Sequence, residues 1–174
     1  GVLDLLDDAA AHGAEQIGGL DPAGIDRDPV GQLDGLFAIM ERREPRELLR
    51  ALVEKAIGLL GAADGFVYLE SADGARLERR VWAGHRPRDE VVAKGEGAVG
   101  KAWESGDLVV VDDYDAWPSR LPGAPSGVFG GLLAAPLRFG GRVRGVLGTV
   151  RAKGERGFSE AERRLLQSFA EMAS

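Results

Sequence analysis

The chain has 174 residues, a net charge of −6, and 44% hydrophobic and 29% charged residues, the make-up of an ordinary globular protein with one domain and an appendage. It has no cysteine and only two histidines, His12 and His85, which excludes disulfides, thiolate nucleophiles and thiolate metal sites and leaves little for histidine chemistry. Charge is uneven: residues 1–44 carry ten acidic and three basic side chains, whereas residues 45–174 carry eighteen and nineteen. The larger part therefore lacks the basic excess that nucleic acid selects. No apolar run approaches the roughly 18 to 20 residues of a membrane span. The acidic start has no basic export region, so no membrane is expected and the expected compartment is the cytoplasm.

Residues 1–18 have the spacing of a short amphipathic helix, with Leu3, Leu6, Ala10 and Ile17 near one face. Residues 19–31 hold two prolines and read as a linker. These pieces set residues 1–32 apart from a domain over 33–174. A second helix carries Leu33, Leu36, Phe37, Ile39 and Met40, and Pro45 ends it. Pro45 also suits the first turn of the next helix, 45–60, whose apolar positions run from Leu48 to Leu60 with Gly61 as its cap.

Strands follow at Gly65–Glu70 and Arg76–Ala83, joined by a turn at Ala72-Asp73-Gly74. On the second, alternation sets Leu77, Val81 and Ala83 on one face and Glu78, Arg80 and Trp82 on the other. Residues 84–96 read as a loop with an extended piece at Val91-Val92. A short helix, 97–104, precedes a third strand at Leu108–Val111. The 112–129 stretch holds three prolines and three aromatics. A loop of this length inside a domain is functional or disordered. Gly130–Arg151 then reads as a hairpin turning at Gly140-Gly141, the pair that a type I′ turn favours. Its strands stay apolar on most positions, which predicts cover on both faces. Ser159, with Glu162 three residues on, opens a final helix. That helix has no stop signal before Ser174, so the sequence reads as part of a longer protein.

The order of elements now meets several local patterns. They are Gly95-Glu96-Gly97-Ala98-Val99-Gly100 followed by Ala102 and Glu104-Ser105-Gly106, Val109-Val110-Val111-Asp112-Asp113-Tyr114, Ala135-Pro136-Leu137, Gly145-Val146-Leu147-Gly148 and Phe158-Ser159-Glu160. Together, from about Leu36 to the C-terminus, they resemble a bacterial GAF domain. The resemblance implies an α+β, PAS-related fold: an antiparallel sheet of five or six strands, helices packed on it, and connecting helices at both ends. It implies a small-molecule pocket between sheet and loops. It also implies homodimers through the terminal helices and an attached histidine kinase, cyclase, phosphatase or transcription-activator module beyond Ser174. Bilin attachment and the cysteine-dependent free methionine sulfoxide reductase chemistry of the family have no cysteine to use here. The Asn-Lys and Phe-Asp-Glu signature of cyclic-nucleotide binders is missing too.

The candidate ligand-binding residues are Trp82, Asp112, Asp113, Tyr114, Trp117 and Arg120. Trp117 and Tyr114 offer flat apolar surface with polar tips, Arg120 a guanidinium fork, and the aspartates acceptors. A plainer reading stands beside this one: an aspartate caps a turn, and Trp117 plugs the core. Trp103, on the short helix, reads as core. His85 admits haem ligation, against the plainer solvated loop histidine. The Gly95, Gly97 and Gly100 run imitates a dinucleotide fingerprint but lacks a βαβ setting, so it reads as a turn with close helix packing. Asp112, Asp113 and Asp115 lack partners for a metal set. No catalytic residue and no cofactor is assigned. Two functions remain: a small-molecule sensor, or a ligand-free dimerisation and signal-relay module with its cavity filled by its own rings. Rings packed solid against Phe129 and Phe139 would favour the second.

Overall fold

The computed structural model describes residues 45–84 and 91–174; the helices expected over 1–18 and 33–44, and His85, lie outside the described residues. Helix α1, Pro45–Leu60, begins on its proline, whose fixed φ and missing N–H cost nothing in a first turn. It buries Leu48, Leu49, Leu52, Val53, Ala56 and Leu60 along one face. There follow β1 (Asp64–Glu70), β2 (Leu77–Ala83), β3 (Val91–Val92), α2 (Gly97–Ser105), β4 (Val109–Val111), β5 (Phe129–Phe139), β6 (Arg142–Ala152) and α3 (Glu160–Met172). The strands form one sheet in the order β3-β2-β1-β6-β5-β4, with every pairing antiparallel.

The glycine hairpin lies at the heart of this sheet. Gly140 and Gly141 have φ of 58° and 76°, both in the left-handed region that a type I′ turn needs. Both faces of its strands are covered. Leu133, Ala135, Leu137 and Leu147 pack with α1 and α3 on one side. Leu132, Ala134, Val146 and Val150 pack with α2 and the 112–128 segment on the other. Cover on both sides is why these strands show no polar-apolar alternation.

The face assignment of β2 needs correction. Val67 pairs with Val81 and Tyr68 with Arg79, so Arg80 is skipped by a bulge. One extra residue reverses which side every later residue faces. Leu77 and Trp82 consequently share the α2 side, while Val81 faces the helices α1 and α3.

Helix α3 starts with the expected capping box: Glu162 N–H donates to Ser159 Oγ at 3.3 Å and Ser159 N–H donates to Glu162 Oε2 at 2.7 Å. The helix ends at Met172. There Ser174 Oγ accepts the Arg138 N–H at 2.9 Å and donates to the Ala170 carbonyl. Leu166 and Phe169 are fully buried, packed among the α1 leucines. Both belong to this domain's own core, and Met172 is an exposed large hydrophobic residue of the helix. Among the described residues no helix is long and apolar enough to cross a membrane.

One buried cation ties the helix ends together. Arg151, 4% exposed, donates to the carbonyls of Leu60, Gly157 and Arg156 and to Glu162 Oε1. Its guanidinium also lies 4.3 Å from the Phe158 ring centre. The end of α1, the end of β6 and the start of α3 thus meet on a single side chain.

Candidate functional site

Where the α2 side of the sheet meets the 112–128 segment, the packing leaves a cavity of about 60 Å³. A water needs roughly 10–15 Å³ by this kind of measure, so the space holds a few waters or one small molecule. The sheet supplies Phe66 and Tyr68 from β1, Trp82 from β2, Val92 from β3 and Leu132 from β5. Helix α2 supplies Ala98 and Val99, and the long segment supplies Tyr114, Leu121, Ala124 and Pro125. Among the described residues, no charged side chain belongs to this wall.

The floor is aromatic. Phe66 stacks on Trp82 with ring centres 5.2 Å apart and planes 18° apart, and meets Tyr68 edge-on at 5.6 Å. Phe66 has this room because its partner across the ladder is Gly148. A Cβ there would lie 2.2 Å from the Phe66 ring. Phe129 packs against two of the lining rings, 6.0 Å from Tyr114 and 6.5 Å from Trp82. The rings therefore fill part of the space and leave the rest open. Among the described residues, the buried indole Nε1 of Trp82 has no hydrogen-bond partner.

The wall segment is folded by its own polar groups. Tyr114 N–H donates to the Gly130 carbonyl at 3.0 Å, and its hydroxyl accepts the Leu121 N–H at 3.2 Å. Asp115 accepts the Gly127 N–H at 2.9 Å. Lys153, just past β6, reaches Asp113 at 2.6 Å and Asp115 at 3.2 Å. The Lys153 hydrogen bond holds the Asp113 carboxyl below its usual range. The Gly127 N–H, then Lys153, does the same for Asp115. Lys153 is raised in turn, chiefly by Asp113.

Of the six candidate residues, Trp82 and Tyr114 line the cavity. The pocket-wall expectation is corrected for the other four. Asp112 is turned to α3, pairing with Arg163 at 3.2 Å, and Asp113 pairs with Lys153. Trp117 sits behind Tyr114, ring centres 6.0 Å apart. Arg120 bonds the Ala124 carbonyl and Ser126 Oγ, stapling its own loop. Trp103 is buried with Lys94 over its ring. The Gly95–Gly100 run makes the turn into α2, with Gly95 N–H on the Gly100 carbonyl at 3.0 Å.

Sequence reasoning missed Phe66, Tyr68, Val92, Ala98, Val99, Leu121, Ala124, Pro125 and Leu132. The i, i+2 spacing of Phe66 and Tyr68 was a usable signal, since alternate residues share a sheet face. A second depression, about 450 Å³, follows the part of β2 beyond β3 and is lined by Arg46, Arg50, Arg79, Arg80, Val81, Trp82 and Gly84. It is open and polar, and Arg50 and Arg80 already pair with Glu54 and Glu78.

Solved structures share this fold. The second GAF domain of DevS from Mycobacterium smegmatis is 26% identical with a TM-score of 0.61, over 75% of this chain and 90% of that one. The GAF domain of an Acinetobacter phosphoenolpyruvate-protein phosphotransferase is 21% identical with a TM-score of 0.68, over 83% and 90%. The free methionine-R-sulfoxide reductase of Neisseria meningitidis, solved with its substrate, is 21% identical with a TM-score of 0.68, over 90% and 93%. A search of curated proteins found no match. Residues 42–174 match the family model of the GAF domain, and with the six-stranded antiparallel sheet and its flanking helices the chain belongs to the GAF domain family.

Proposed function

We propose that this GAF domain is a regulatory module of a bacterial signal-transduction protein that senses a small molecule in the cavity between the sheet, α2 and the 112–128 segment. The observation that carries the reading is the cavity itself: a largely aromatic space under a loop whose polar ties run to Lys153, just past β6, and to α3. A bound molecule would stabilise one arrangement of that loop. Asp112–Arg163 and Lys153 would pass the bias to α3, which leaves the sheet for an output module. Catalysis has little support. The chain has no cysteine for thiol redox chemistry, and among the described residues no acidic or basic side chain lines the cavity.

A thermal-shift screen of metabolites against the whole chain tests this. A ligand at a hundred times its Kd adds about 2.7 kcal/mol of stability, an easily read shift. The second reading, a ligand-free relay module, draws on the small size of the cavity. Failure of every metabolite to stabilise the chain at millimolar concentration would favour that reading over the sensor.

A further inference from the structure

We infer that Arg151 couples the end of α1 to the start of α3, so that a shift of one helix is felt by the other. The inference stands on the fold alone, whatever occupies the cavity.

The coupling sits on one atom. Arg151 Nη2 donates at 2.8 Å to the carbonyl of Leu60, the last residue of α1, and at 2.8 Å to Oε1 of Glu162, in the first turn of α3. Nη1 holds the segment that leads into α3, at the carbonyls of Arg156 (3.1 Å) and Gly157 (2.8 Å). A guanidinium is planar, so its nitrogens cannot turn independently. Glu162 is fixed in its own right, because its carboxylate also accepts from Arg156 and from the Ser159 N–H. Leu60 offers a carbonyl at the negative end of the α1 dipole, where a cation is favoured. Leu166 and Phe169 pack among the α1 leucines as well, but apolar contacts have no direction and allow sliding. Hydrogen bonds are directional, and those of a buried charge are costly to leave unmade. A helix α3 that moved without α1 would strand part of the buried guanidinium. Asp112, at the start of the 112–128 segment, binds Arg163, the residue after Glu162, so a displacement of that segment would reach the same joint.

Amide exchange of the ¹⁵N-labelled full chain at pH 7, followed by NMR, tests this as a double-mutant cycle. The reporters lie where α1 ends: the Ala62 N–H, bonded to the Ile57 carbonyl, and the Ala63 N–H, bonded to the Val150 carbonyl. Their rates are taken relative to Leu133 and Leu147 in the central strands, which removes any change in global stability. Glu162→Gln should speed exchange at the reporters about threefold or more, a coupling of the size that touching groups show. Arg151→Met keeps bulk against Phe158 without the donors, and in that background Glu162→Gln should add nothing at the reporters. If Arg151→Met does not fold, Arg151→Lys takes its place; a lysine has three donors for four acceptors, and the Glu162→Gln effect should shrink. Reporters that ignore Glu162→Gln, or that respond by the same factor with Arg151 replaced, would overturn the coupling and leave Arg151 a local structural tie.

Discussion

Single atoms in this domain carry consequences out of proportion to their size. Thr149 is fully buried in β6, and among the described residues its Oγ1 has no hydrogen-bond partner. Its ladder neighbours are Gly65 and Leu133, so nothing polar replaces the water it lost. A valine has nearly the same shape and no hydroxyl to desolvate. Thr149→Val should therefore raise stability by about 1 kcal/mol and the melting temperature by about 2–4 °C, read by calorimetry. An unchanged or lower melting temperature would mean that the hydroxyl has a partner in solution.

The elements themselves could be read from the chain, for reasons that are local. Pro45, the Gly140-Gly141 pair and the Ser159–Glu162 box each act through their own few residues, so their structures follow from spacing alone. The cavity wall was harder to read. Asp112 and Asp113 turn outward because Arg163 and Lys153, far away in sequence, hold them there. The bulge at Arg80 likewise reverses β2 without any glycine or proline to announce it. At the joint between elements, Glu162 accepts from Arg156, Ser159 and Arg151. Arg156 above all holds its carboxyl far below the usual 4.5. A depressed carboxyl stabilises the fold above the unfolded value and gives that stability up as pH falls toward the folded one. Melting temperature should thus decline from about pH 5 downward, and Glu162→Gln should flatten that decline while lowering stability at pH 7. An equally steep acid limb in the variant would assign it to other carboxylates.

Across the whole molecule, the polar ties of the 112–128 segment converge on the sheet's exit. Lys153 joins Asp113 and Asp115, and its N–H donates to the Val128 carbonyl at 3.0 Å. Exposed pairs of this kind add little global stability, so their effect is local order. Lys153→Ala should speed amide exchange at Gly127 and through 113–128, with little change in melting temperature. Exchange that stays slow would show that the Tyr114 bonds alone hold the wall. The sheet also ends in a particular way. Its two margins are β3, two residues long, and β4, three. A strand from another molecule would find only a stub to zip against at either margin, although the central strands run to eleven residues. The long, apolar β5 and β6 would make an effective template for fibrils if they stood at the rim. β4 covers only Leu132–Ala134 of β5, but further along that edge Pro136 has no N–H to give and the Arg138 N–H is held by Ser174 Oγ, which leaves an incoming strand few donors to pair with.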